Sequence, residues 1–194
     1  MHRFALRIPL ALTALRAALG PVVVLLALFQ PNAVAFAVCL TLAFLSDYFD
    51  GVIARRLGVA TPSVRRLDSI ADTVFYISAL LAAWSLHSTI LRPYLPALLV
   101  LAALEVARYA FDFRKFGKEA SYHMWSSKLW GITLVVAFYA LLVFGRAGLP
   151  VTLAVYVGVA ADLEGLAISS VLPRWRTDVP TIFHALSVRA ERMG

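Results

Sequence analysis

Six long apolar runs, near 10–30, 33–57, 66–87, 93–114, 125–145 and 148–172, are separated along the chain by short polar connections. Each approaches or exceeds the roughly 20 residues a helix needs to cross a hydrocarbon core of about 30 Å. The pattern predicts an all-α, polytopic membrane protein with six transmembrane helices. Gln30-Pro31-Asn32 and Gly148-Leu149-Pro150 read as turns between them. At the ends, Phe4, Leu6 and Ile8, then Trp175, Ile182, Phe183 and Leu186, are interspersed with arginines. Residues 1–8 and 174–194 are therefore expected to form short interfacial helices at the termini. The six runs leave little chain for anything soluble, so residues 1–194 are read as a single transmembrane domain.

Composition sharpens this picture. Hydrophobic residues make up 61% of the 194 and charged residues 15%. A soluble domain of that length carries far more charge. Cys39 is the only cysteine, so no intrachain disulfide can form. The first apolar run is too long for a signal-peptide core, and no cleavable leader is expected.

The formal charge of +7 would suit a nucleic-acid partner, but its distribution points to membrane topology instead. Arg3, Arg7, Arg55, Arg56, Arg65, Arg66, Arg114, Lys115, Lys118, Arg174, Arg176, Arg189 and Arg192 all flank one set of connections. The opposite set offers only Arg92 and Arg146. By the positive-inside rule both termini are expected in the cytoplasm, with an even number of spans in the cell (inner) membrane.

Acids inside the apolar runs carry the candidate chemistry. Asp47 and Asp50 are three apart and Asp68 and Asp72 four apart, so each pair shares a helix face. Gly58 is a plausible stop for the second helix, and Thr61-Pro62 a cap and first turn for the third. At 1.5 Å per residue Asp50 and Asp68 lie roughly 10–12 Å from that turn, and Asp47 and Asp72 roughly 16 Å. A helical hairpin thus sets four carboxylates at two matched levels, where they can converge. Clustered anions in a span are costly. Either some protonate or cations neutralise them. Mg²⁺ or Mn²⁺, hard ions that take oxygen ligands, fit best, and a two-ion site would suit phosphoryl displacement. Pairing with Arg55, Arg56, Arg65 and Arg66 at the membrane edge is the plainer alternative.

These residues resemble the signature of the CDP-alcohol phosphatidyltransferases, Asp-x2-Asp-Gly-x2-Ala-Arg-x8-Gly-x3-Asp-x3-Asp. Asp47, Asp50, Gly51, Ala54, Arg55, Asp68 and Asp72 fall at the required spacings, and Val64 stands in place of the second glycine. The resemblance implies that Asp47, Asp50, Asp68 and Asp72 bind metal and that Asp72 is also the general base. It implies a CDP-linked lipid donor whose pyrophosphate the metals hold, and an alcohol that displaces CMP. Gly51 and Ala54 would let the nucleotide approach the helix, while Arg55 would contact it and Thr61 assist. A homodimer is implied as well. Val64 is either tolerated at the start of the third helix or a sign of an altered cytidine pocket or lost activity.

Other residues are candidates for binding substrate. Thr13 and Arg16 are similar to a family pattern Pro-Asn-x-x-Thr-x-x-Arg at the nucleotide site, with Leu10 replacing the asparagine; Arg16 could equally snorkel to the interface. Arg108, three residues after Glu105, either neutralises that acid or meets an acceptor phosphate. Lys128, a turn into the fifth run, is a candidate acceptor or headgroup contact, followed by His123 and Lys118. Asp162 and Glu164 are read as interhelical contacts first and active-site parts second, with one of them meeting Arg108 or another helix cation. Phe75, Tyr76, Trp84 and Trp130 are read as packing or interface anchors.

The reading is an enzyme that moves a phosphatidyl group from a lipid such as CDP-diacylglycerol to a small, possibly phosphorylated, alcohol at the cytoplasmic face. Two alternatives stay open. One is a small cation or proton transporter that uses the acids as its path; the other is a non-catalytic lipid-binding relative, suggested by Val64.

Overall fold

A computed structural model describes residues 7–59 and 61–190. Its elements are α1 (Arg7–Phe29), α2 (Ala33–Arg56), α3 (Pro62–Leu91), a 3-10 turn (Arg92–Tyr94), α4 (Leu95–Phe116), α5 (Trp125–Phe138) running into a π-helical turn (Tyr139–Val143), α6 (Leu149–Val171) and α7 (Ile182–Ala190). The described residues contain no β-strand, only one isolated bridge between Ser121 and Thr177.

Among the described residues, five stretches are long and apolar enough to cross a membrane: Arg7–Phe29, Ala33–Arg56, Ser63–Phe116, Trp125–Val143 and Leu149–Val171. The expected count of six is corrected at the third. The runs at 66–87 and 93–114 belong to one helical stretch of 54 residues, because the connection expected at 87–93 does not become a loop. Only His87 leaves helical dihedrals there (φ −132°, ψ 34°), and Arg92–Tyr94 tightens into a 3-10 turn. Pro93 and Pro96 sit in the first turns of their helices, where a missing N–H leaves no bond unmade. At the C-terminus α7 is a short helix, as expected. Of the proposed N-terminal interfacial segment, residues 1–6 lie outside the described residues, while Arg7 and Ile8 already belong to α1.

The chain divides into two compact units. The first comprises residues up to Ile90 together with Phe138–Arg146, and the second Leu91–Ala137 together with Ala147 onward. In the first unit, α1 packs along α2. Buried positions on α1 include Pro9, Thr13, Arg16, Gly20, Val23 and Ala27, and on α2 Phe36, Leu40, Ala43, Ser46, Asp50 and Ala54. Their three- and four-residue steps trace one stripe on each helix. Gly20 brings α1 close to α3, since a Cβ there would lie 2.9 Å from Ser78 Oγ. The Tyr139 hydroxyl donates to Ala37 O at 3.0 Å and also meets Thr41, fixing the π-helical turn to α2.

The second unit is built on α4 and α6. Gly158 and Gly165 on α6 allow close approach: a Cβ at the first would stand 2.6 Å from Trp130 Nε1, and at the second 2.8 Å from Arg108 Cδ. Beneath α7 lies an apolar cluster of Tyr122, Met124, Ile168, Leu172, Val179 and Ala185.

Candidate active site

The hairpin of α2 and α3 is set by local chemistry at its turn. Gly58 takes the left-handed φ of +66° that ends α2, a conformation most side chains disfavour. Thr61 Oγ1 accepts the Val64 N–H at 3.3 Å and so caps α3. Both stop signals act where the sequence places them. Val64, in the position of the family glycine, is buried at 8% exposure in that first turn.

All four acids then meet at one point. Arg16, reaching in from α1, holds them: its Nη1 is 2.5 Å from Asp47 Oδ1 and also contacts Asp72 Oδ1, and its Nη2 is 2.5 Å from both Asp50 Oδ2 and Asp68 Oδ1. The expected convergence of the four carboxylates is therefore present. The cation they share comes from the first helix, in place of exclusive pairing with the loop arginines. Arg16 is 1% exposed, so it does not snorkel to the interface. Among the described residues its Nε has no hydrogen-bond partner, while both Nη atoms contact these acids. Thr13 Oγ1 lies 3.0 Å from Pro9 O and 3.3 Å from Asp50 Oδ2; its single hydrogen serves one of the two at a time.

The donor set fits a divalent cation. Asp47, Asp50 and Asp68 each offer a carboxylate oxygen, all within 4.8 Å of one another. Hard oxygen donors in such a group suit Mg²⁺ or Mn²⁺. Asp72 is not part of that group of three. Charge points the same way. Four carboxylates against one guanidinium leave three negative charges uncompensated when all are ionised, which an apolar surrounding tolerates poorly.

The neighbouring motif residues divide. Gly51 lies beneath the Arg55 guanidinium, whose Nη1 would be 3.2 Å from a Cβ placed there. A side chain at that position would crowd Arg55. Ala54 is 5% exposed and packs within the unit.

Arg108 and Lys128 belong to the second unit. Arg108 Nη2 is 2.6 Å from Glu105 Oε1 and its Nε 3.1 Å from Asp162 Oδ1. The interhelical partner expected for Arg108 among the acids of the last span is thus Asp162. Glu164 instead accepts from Ser126 Oγ at 2.5 Å and from the Ile182 N–H at 3.2 Å. Lys128 Nζ stands 4.3 Å above the Trp125 ring, and Lys118 Nζ 3.5 Å above that of Trp175. The reading of the sequence overlooked Asp112, 1% exposed, which accepts from the Ser169 hydroxyl, itself bonded to Tyr122 Oη at 2.8 Å. An acid within an apolar run was its only signal.

Compared with known proteins, residues 6–161 match the family model described as CDP-alcohol phosphatidyltransferase. No curated protein and no solved structure matches the chain.

Proposed function

The chain belongs to the CDP-alcohol phosphatidyltransferase family, and from that premise we propose that it moves a phosphatidyl group from a CDP-linked lipid, such as CDP-diacylglycerol, to the hydroxyl of a small alcohol. The observation that carries this reading is the meeting of four carboxylates from two helices around one buried arginine. The acceptor oxygen bonds to phosphorus as the bond to CMP breaks, and CMP leaves.

Asp47, Asp50 and Asp68 would hold Mg²⁺ or Mn²⁺, with Asp72 as a further ligand. When bound, the ions supply positive charge to the donor's pyrophosphate and to the departing CMP. Asp72, which also stands apart from the group of three, takes the acceptor's proton on a carboxylate oxygen. Arg55 and Gly51 face the nucleotide side of the site, with Thr61 fixing the turn they depend on and Thr13 orienting Asp50. Arg16 keeps the acids together on the first helix. Within the second unit, Lys128, with no carboxylate partner among the described residues, is the better candidate headgroup contact, since Arg108 is already neutralised by two acids. The whole chain acts as one membrane domain, as a homodimer, with the active site on the cytoplasmic side of the cell membrane.

The test is CMP release by purified protein in lipid nanodiscs, given CDP-diacylglycerol, Mg²⁺ or Mn²⁺ and a panel of free and phosphorylated alcohols, beside an Asp72→Asn control. Metal-dependent CMP release with one acceptor supports the proposal; silence across the panel sinks it.

A further inference from the structure

A second region, independent of the transfer reaction, draws attention at one end of the second unit. There α4 ends at Phe116, α5 begins at Trp125 and α6 ends at Val171. The connections between them are tied together: the Asp178 N–H donates to Ser121 O at 3.1 Å, the Trp125 N–H to Pro180 O at 3.2 Å, and Trp175 Nε1 to Glu119 O at 2.9 Å. Three membrane-crossing stretches thus terminate at one level, and that level is a membrane boundary. His123 and Asp178 both hold left-handed backbones there, at φ +53° and +57°. Such conformations persist only where surrounding contacts impose them, and here they hold the two connections in register.

Helix α7 is fixed to this end. Nine residues long, it spans roughly 13 Å and is too short to cross lipid. Ala185 is fully buried, and Ile182 and Val188 pack on the cluster beneath. The Glu164 carboxylate accepts the Ile182 N–H, and Thr181 Oγ1 accepts that of His184 at 3.3 Å. The outward face is nevertheless apolar. Phe183 is 78% exposed and Leu186 47%, and Trp125, at the start of α5, is 65% exposed. Arg174, Arg176 and Arg189 are all exposed around them. A rigidly held helix with aromatic and aliphatic side chains outward, with exposed arginines on it and in the segment leading to it, has the chemistry of an acyl–headgroup boundary.

We infer that residues 173–190 form an interfacial platform whose partner is the anionic phospholipid headgroup layer. Phe183 and Leu186 enter the acyl boundary, while Arg174, Arg176 and Arg189 meet lipid phosphates. Charge complementarity selects this occupant, because three arginines beside an apolar face are attracted more strongly to a net anionic surface than to a zwitterionic one, whose phosphates are balanced by ammonium groups.

The test uses the full chain with Cys39→Ala and a single introduced cysteine at position 183, 186 or 184, each carrying an environment-sensitive fluorophore. Position 184 lies about 100° around the helix from 183 and serves as the internal comparison. Protein is reconstituted in nanodiscs of phosphatidylcholine, with or without phosphatidylglycerol, containing lipids spin-labelled near the headgroup. Labels at 183 and 186 are expected to be blue-shifted and quenched several-fold more than at 184, with a further increase when phosphatidylglycerol is added. The combined Arg174→Gln, Arg176→Gln and Arg189→Gln replacement is expected to remove that increase, as is high salt. Thermal melting of every variant checks folding; these side chains are exposed, so melting is expected to stay unchanged. Equal quenching at 183 and 184, no response to phosphatidylglycerol, or a response that survives the triple replacement overturns the inference.

Discussion

The two units bury an arginine among acids in opposite ways. In the second, Arg108 meets Glu105 on its own helix and Asp162 across the packing seam, and Asp112 is served by a hydroxyl in place of a cation. Asp162 and Asp112 are 2% and 1% exposed, closed off from any ligand arriving from outside. In the first unit a single guanidinium serves four acids, and three of them remain open, with side-chain exposures of 44% for Asp47, 34% for Asp68 and 32% for Asp72. The second arrangement ties helices together. The first keeps a surplus of negative charge open at the surface of the chain, and such a surplus makes sense where a cationic or metal-bound ligand is to be received.

The largest expected effect separates the two clusters by what each loses. Asp72→Asn should lower metal-dependent CMP release about a thousandfold, within the range for loss of a general base, while leaving the melting temperature unchanged or raised, because one repelling charge is gone. Asp162→Asn should do the reverse, lowering the melting temperature with turnover largely kept. If both variants lost activity and stability alike, the distinction between a receiving cluster and a binding seam would fail. Next in size is Arg108→Ala, which strands Glu105 and Asp162 without their shared cation. Breaking such a buried pair costs about 3–5 kcal/mol, read as loss of unfolding stability in detergent or nanodiscs. Stability within experimental error of the parent would show that Arg108 does not hold this seam.

The same contrast explains which features were legible in the sequence. The hairpin was, because Gly58, Thr61 and the three- and four-residue spacing of the acids act within a few turns of helix. That an acid of the last span would meet Arg108 was legible in part, since an apolar span offers few counter-ions, but the choice of Asp162 over Glu164 was not. Arg16 was not legible as the centre of the four acids. It lies 31 residues from Asp47 and 56 from Asp72 in the chain, and only the packing stripe of α1 against α2 brings it in, while nearer arginines at the turn offered a more local answer. The boundary expected at 87–93 misled for a related reason. Proline and arginine there mark a turn by composition, but proline in a helix's first turn is compatible with helix, and the chain stays helical through it.

Arg16 also gives the first of two smaller tests. Its guanidinium and a divalent ion require the same oxygens, so removing it in Arg16→Met should tighten Mn²⁺ binding, by about tenfold or ~1.4 kcal/mol, while destabilising the metal-free protein. Mn²⁺ titration followed by electron paramagnetic resonance, together with melting in chelator and in metal, reads both. Weaker metal binding would mean that Arg16 holds the acids in position for metal, not in competition with it.

The smallest effect belongs to the closed unit. Tyr122 is 3% exposed and its hydroxyl bonds Ser169, which serves Asp112. Tyr122→Phe should cost about 1 kcal/mol, one neutral hydrogen bond, with no change in Mn²⁺ affinity. Burial also pushes the Tyr122 phenol above its ordinary value. A raised acid stays neutral in the fold, so its contribution is complete below the unfolded pKa near 10 and is lost as pH climbs through the folded value. Melting from pH 8 to 11 (roughly the range that brackets that titration) should therefore show the parent losing stability faster than Tyr122→Phe at the alkaline end. Parallel curves would mean that the phenol reaches water and that the second unit is more open than its packing implies.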